Sequence, residues 1–235
     1  MKEIAEDVRI ADDVEINARV LRIGKNTILE KGCEIYVDRL VIGQDSIIRK
    51  NCVIRGRDIE TGHHFYMDHH AEIGGGSCFG RHSRLRIGHH FHLGSYSMVN
   101  TAREVTIGNE VGIGRLSNIY THGAYLNVLL GFPEQWGPVR IGSNVWIPCA
   151  TILPNVTIGD NTVIAACSLV NKDIEGGGLW AGIPAERVEG VVYPNPWPDH
   201  KRKEYLAKLK EDVDDFPDEL RRHGIRDPAE RSSSK

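Results

Sequence analysis

The feature that most constrains this chain is a beat of six residues. Within 139–170 an aliphatic residue returns at Ile141, Ile147 and Leu153, then at Ile158, Ile164 and Val170, with glycine or small and variable residues between. Six matches neither the 3.6-residue period of a helix nor the two-residue period of a strand. Taken three at a time it describes a triangular prism, in which short strands form the sides, aliphatic residues point inward and variable pairs turn the corners. The beat starts almost at the N-terminus, with Ile4, Ile10 and Ile16, and continues through Ile23, Leu29, Ile35, Ile42, Ile48 and Ile54. It therefore predicts an all-β repeat domain over 1–190, with no separate domain ahead of it.

The punctuation agrees. The phrase aliphatic-x-Ile-Gly returns at Leu21, Leu85, Val105, Val139 and Val156, mostly about three hexapeptides apart, and its glycine suits a corner where a Cβ would crowd the next coil. Thr27, Ser46, Ser77, Ser83, Ser97, Ser117, Thr151, Thr162 and Ser168 keep a second inward position small; Phe91, Val111 and Val145 are larger exceptions. From Arg55 to Ala71, a segment holding His63, His64, His69 and His70, the beat is lost, and this reads as a loop excursion. It resumes at Ile73, Phe79 and Leu85, then runs through Ile87, Leu93, Val99, Ile107, Ile113 and Ile119. A longer excursion follows His122. Beyond Val188 the repeat stops, and 191–235 reads as an extended, proline-stiffened segment followed by helices. The first helix is expected from about Asp199 to Val213, with Tyr205, Leu206, Leu209 and Val213 on one face, and a shorter one from Pro217 to His223.

Composition excludes some functions. A net charge of −3 on 235 residues gives no general attraction to nucleic acid or anionic membrane. No apolar run approaches the ~20 residues of a membrane span, and the first residues lack a signal peptide's apolar segment, so a cytoplasmic protein is expected. Five cysteines without CxxC spacing, two of them (Cys33, Cys52) at the small inward position, read as free thiols packed as small apolar groups.

Four blocks in fixed order carry a more specific signal: Thr121-His122-Gly123 before the long excursion, Val139-Arg-Ile-Gly-Ser-Asn-Val-Trp-Ile-Pro, Ile158-Gly-Asp-Asn-Thr-Val-Ile-Ala-Ala-Cys-Ser, and Asn171-Lys-Asp-Ile followed by Ala181-Gly-Ile-Pro-Ala. Together they resemble the hexapeptide-repeat acyltransferases, in the branch of sugar and xenobiotic O-acetyltransferases. The resemblance implies a left-handed parallel β-helix, acetyl-CoA as co-substrate with no metal, and a homotrimer with active sites between subunits. It implies transfer of an acetyl group to a hydroxyl, or to an amino group, of a sugar, nucleotide sugar or glycan precursor. The absence of an N-terminal helical segment fits the polysaccharide-biosynthesis relatives better than the maltose and galactoside enzymes.

An alcohol is a poor nucleophile while protonated, so such a transfer needs a base, and histidine suits the task near neutral pH. By the resemblance His122 is that base. The main-chain N–H of Cys149 matches the oxyanion donor, Trp146 lines the cleft beside His122, Ala166 lies along the pantetheine groove, and Asn171 and Lys172 form the adenosine turn. Arg187 stands beside Glu186 where relatives carry a single basic residue for the coenzyme phosphates; a carboxylate there would repel them. Asn100 is expected to face the acceptor, with Tyr125, Glu134 and Trp136 on the excursion contacting it.

Two other readings compete. Gamma-class carbonic anhydrases share the prism and bind zinc through three histidines. His64 and His69 have the spacing of one such pair, but no histidine precedes His63 to give that pattern its third ligand, so metal binding by the His63–His92 region stays the lesser expectation. The other reading is a non-catalytic assembly subunit, against which the retained His122 motif and coenzyme turn both count.

Overall fold

The computed structural model describes residues 1–124 and 127–194, and in a second unit beginning at Asn195 residues 198–201, 203–205 and 207–208. The first unit, Met1–Pro194, is a β-solenoid of about nine turns whose parallel ladders form three faces. On the first face Lys2, Leu21, Leu40, Ile59, Leu85, Val105 and Val139 stack in register. The second carries Arg9–Ile10 through Val145–Ile147 to Gly178–Gly182; the third carries Glu34, Val53, Glu72, Met98, Asn118 and Thr151 in register. Two faces merge into one thirteen-stranded sheet because, in the first three coils, single nine-residue strands (Glu15–Ile23, Glu34–Ile42, Val53–Thr61) run without a break from the third face onto the next coil's first.

The alternation that makes the prism is direct. Leu21, Ile35, Leu40, Ile48, Ile54, Ile73, Leu85, Val99, Ile113 and Ile119 are at most 1% exposed, and Thr27, Ser46, Ser83, Ser97, Ser117, Thr162 and Ser168 fill the smaller inward sites. A column of glycines turns the corner between first and second faces: a Cβ on Gly43 would lie 2.2 Å from the Gly62 carbonyl oxygen, closer than any atoms pack. Cys33 and Cys52 are buried as expected, and all five cysteines are free.

The structure corrects the reading at three places. Arg55–Ala71 is not an excursion: Val53–Thr61 and Phe65–Met67 are solenoid strands, with Ile59, Thr61, Phe65, Met67 and Ala71 buried. Thr61 and Met67 stand where aliphatic residues mark the beat elsewhere, which hid it. The true excursion lies at 75–83, so that Ser77 and Phe79 are outside the core, with Phe79 59% exposed. In the seventh coil the corner at Pro148-Cys149 is one residue short, so Ala150 and Ile152 turn inward in place of Thr151 and Leu153.

The last coil ends by reversal. Gly178–Gly182 is followed by Ala185–Arg187, which pairs back onto it antiparallel, with Glu186 and Arg187 exposed. In the second unit the described residues from Asp199 onward are helical and include Tyr205; Leu206, Leu209, Val213 and the expected piece at 217–223 lie outside the described residues. Among the described residues no helix is long and apolar enough to cross a membrane.

Candidate active site

Both excursions leave from one corner, between the third face and the next coil's first. Down the first face the step is 19 residues from Lys2 to Leu21, Leu40 and Ile59, then 26 to Leu85, 20 to Val105 and 34 to Val139. Three successive passes of that corner, at 74–83, 100–104 and 121–137, assemble the site.

Asn100 is its hub, 2% exposed at the end of Met98–Asn100. Its Nδ2 donates to the carbonyls of Gly74 (3.0 Å) and Gly76 (3.1 Å), which fixes the amide orientation, since both partners are acceptors. Its Oδ1 then accepts from the Ala102 N–H (3.2 Å) and from the Thr121 hydroxyl, and lies 3.0 Å from His122 Nδ1. An amide oxygen only accepts, so Nδ1 carries the ring proton and the lone pair is on Nε2. Nε2 faces Gly76, where an added Cβ would sit 3.6 Å away. The unprotonated ring nitrogen of His122 is thus presented toward the 75–83 excursion. Asn100, expected to contact an acceptor, is buried with its amide engaged in hydrogen bonds within the chain.

The second excursion is an antiparallel arm in which His122 stands opposite Trp136 and Ala124 opposite Glu134. Trp136 stacks on the His122 ring at 4.7 Å with planes 16° apart, and the Arg103 guanidinium lies 4.1 Å from the centroid of the same indole. The arm's root is held by Gly137 N–H to Thr121 O (2.9 Å) and Asn155 Nδ2 to Trp136 O (3.2 Å). Its tip exposes Val128, Leu129, Leu130 and Phe132. Glu134 is exposed, and Tyr125 lies outside the described residues.

The other expected residues are not gathered here. Trp146 lies on the second face, 41% exposed and flat over Gly112, where a Cβ would come within 2.4 Å of the indole. Within one chain it does not flank His122, which sits at the corner joining the other two faces. Cys149 and Ala166 share the corner between second and third faces, where Cys167 N–H donates to Cys149 O at 2.6 Å. Asn171 and Lys172 are exposed at the His122 corner, two coils on. Lys172 Nζ pairs with Glu186 Oε1 at 2.7 Å, and Arg187 Nη2 donates to Gly177 O at 3.1 Å. Glu186 is therefore balanced by Lys172, and the remaining guanidinium N–H groups of Arg187 supply the unmatched charge.

The histidine-rich region forms a corner ladder. His63 Nδ1 accepts the Gln44 N–H (3.1 Å), His89 Nδ1 accepts the His63 N–H (3.0 Å), and the two rings stack at 4.8 Å. Among the described residues no three His, Cys, Asp or Glu side chains converge as a metal-ligand set. Reading the sequence missed Gly76, Arg81 and Arg103; the run Gly74-Gly75-Gly76 was the available turn signal.

Comparisons with known proteins agree with this architecture. Residues 138–172 match the bacterial transferase hexapeptide (six repeats) model. The chain is 46% identical to the galactoside O-acetyltransferase of Escherichia coli (strain K12) over 55 residues, 23% of this chain and 27% of that protein. It is 35% identical to a putative acetyltransferase of Saccharomyces cerevisiae over 114 residues, 47% of this chain and 58% of that one. The matched stretch thus spans about a quarter to three tenths of the first curated relatives and over half of the yeast one. Among solved structures, the polySia specific acetyltransferase NeuO superposes with a TM-score of 0.52 at 19% identity, covering 88% of this chain and 98% of its own. A point mutant of AntD, an N-acyltransferase from Bacillus cereus in complex with dTDP and coenzyme A, gives 0.51 at 15%, covering 84% and 93%. At those identities the two establish a shared fold. The solenoid thus carries the matched hexapeptide repeat within 138–172, and parts of the chain are similar to named acetyltransferases.

Proposed function

We propose that the chain is an acetyl-CoA-dependent acetyltransferase acting on a hydroxyl, or an amino group, of a saccharide or nucleotide sugar, with His122 as general base. The observation that carries this is the His122 tautomer: Asn100 Oδ1 accepts from Nδ1 and leaves Nε2 as a lone-pair base aimed at an open excursion. When bound, acetyl-CoA supplies the acyl group as a thioester. His122 Nε2 takes the acceptor's proton as its oxygen attacks the thioester carbonyl, and returns it to the departing thiolate sulfur, so the base is regenerated. The developing imidazolium is oriented by the Asn100 carbonyl and covered by the Trp136 ring. The Cys149 main-chain N–H is the proposed oxyanion donor, with Trp146, Ala166, Asn171, Lys172 and Arg187 along the coenzyme's path. The Lys172–Glu186 pair is close to neutral, so this path places phosphate recognition on Arg187 rather than on Lys172.

Trp146 and Cys149 lie away from the His122 corner of their own chain, which favours a homotrimer in which one copy's His122 faces a second copy's Trp146 and Cys149. The apolar tip of the arm (Val128, Leu129, Leu130, Phe132) suits contact with that second copy. The similarity to named acetyltransferases supports the reaction class; AntD is solved with dTDP and coenzyme A, and NeuO is a polySia specific acetyltransferase. The test is titration of acetyl-CoA into wild type and His122→Ala, with thiol release followed over a panel of sugars and nucleotide sugars. Both proteins should bind coenzyme, and acceptor-dependent release should fall about 10²–10⁴-fold in the variant. No coenzyme binding to either would overturn the proposal.

A further inference from the structure

The His122 corner continues toward the N-terminal coils as a solvent-open groove of about 560 Å³. It is lined by six arginines (19, 39, 57, 81, 84 and 103) against three carboxylates, Asp38, Asp58 and Glu104, on a chain whose overall charge is −3. The carboxylates are already taken. Asp38 pairs with Arg19 at 2.9 Å; Asp58 is shared among Arg39 (2.8 Å), Arg84 (3.6 Å) and Arg86; Glu104 lies 3.9 Å from Arg84. What remains is Arg57, Arg81 and Arg103, none with a carboxylate within 4.0 Å among the described residues. Arg81 Nε instead donates to His82 Nε2 (2.9 Å), and Arg103 donates to the Ala102 carbonyl (3.0 Å) while lying over Trp136.

These three arginines connect the groove to the reacting centre. Arg81 closes the same excursion that presents Gly76 to His122 Nε2, and Arg103 touches the indole that covers the imidazole. Guanidinium groups match the planar two-oxygen geometry of carboxylate and phosphate. In a groove a surplus of one sign raises the local concentration of the opposite ion. The volume falls within the ~300–1,000 Å³ usual for small-ligand sites, enough for a saccharide with its charged group. We infer that this groove binds an anionic saccharide through Arg57, Arg81 and Arg103, and, resting on the acetyltransferase reading above, that this saccharide is the acceptor. Its charged group lies toward Arg57 and Arg81, and its reacting hydroxyl reaches past Arg103 to His122.

The anion has two sources, a sugar's own carboxylate or the pyrophosphate of a nucleotide sugar, and the experiment separates them. Trigalacturonate, UDP-glucose and neutral maltotriose are titrated into the full chain and into Arg57→Gln/Arg81→Gln at low and high salt, with thiol release from acetyl-CoA measured in parallel. At least one anionic probe should bind wild type at least about tenfold more tightly than maltotriose, a margin of ~1.4 kcal/mol, and weaken with salt. The double variant should lose that margin. The tighter anion identifies the source. Equal binding of maltotriose, no binding of either anion, or undiminished binding by the folded double variant overturns the inference. If the variant does not fold, the salt response and probe preference of wild type decide alone. Anion binding lost in the variant but without thiol release keeps the groove and removes the transferase reading; thiol release to neutral sugars without anion binding does the reverse.

Discussion

The same corner of the prism is built in two ways. In the first three coils a single strand rounds it, as in Glu34–Ile42, and the backbone stays paired from third face to first. In the coils that follow, the corner is opened by the excursion at 75–83 and then by the arm rooted at His122 and Trp136. The core beneath is continuous across both: Ile54, Ile73, Val99 and Ile119 are all buried to 1% or less. Solenoid coils contact only their neighbours, so length added at a corner does not disturb the stack. Stability is held by the faces, and the proposed chemistry falls where one corner is allowed to lengthen.

That separation can be broken by experiment. The largest effect is expected for Ile54→Ala in the closed region, which removes most of a fully buried side chain and should cost about 2–5 kcal/mol in denaturant unfolding. Acetyl-CoA affinity of the folded variant should be unchanged; a loss of affinity would show that the faces shape the site. Next comes Asn100→Ala, which strands the Gly74 and Gly76 carbonyls and frees the His122 ring. We expect ~1–3 kcal/mol of destabilisation, together with a fall in kcat at unchanged KM for coenzyme. Equal kcat would sink its role in orienting the base.

The smallest effect is a pH dependence away from the corner. His92, on the second face against the Tyr66 ring, has its pKa lowered from 6.5 by burial, opposed by the nearby Asp68 carboxylate. The unfolded chain therefore takes up this proton more readily than the folded one. Stability from this residue is complete above pH 6.5 and is lost as pH falls toward the folded value. His92→Gln should flatten that part of the stability curve and leave the pH profile of thiol release where it was. A shift in the kinetic profile instead would tie the second face to the reaction.

Much of the fold was legible because the beat is a direct record of which side chains point inward. Ile23, Leu29, Ile35, Ile42, Ile48 and Ile54 all fall inside, and the break after His122 is a real arm. Legibility failed where chemistry substitutes for pattern. Thr61 and Met67 serve as inward residues without looking aliphatic, and the short corner at Pro148-Cys149 moved the inward position from Leu153 to Ile152. The site was partly visible, since His122 and Trp136 stand in one arm. Asn100 was singled out, but only its burial shows that its amide is used inside the chain. The arginine groove had no linear signature: Arg57, Arg81 and Arg103 come from three coils and meet only when the coils stack.

The reversal at Ala185–Arg187 bears on how this protein coexists with itself. A ladder of parallel strands is a template to which another chain can add, and solenoid ends are where such growth would begin. Here the last rung of the second face runs backwards and carries Glu186 and Arg187 on its exposed side. A strand arriving at this face would meet a rung of reversed direction with two charged side chains on it, which disfavours extension of the parallel ladder there.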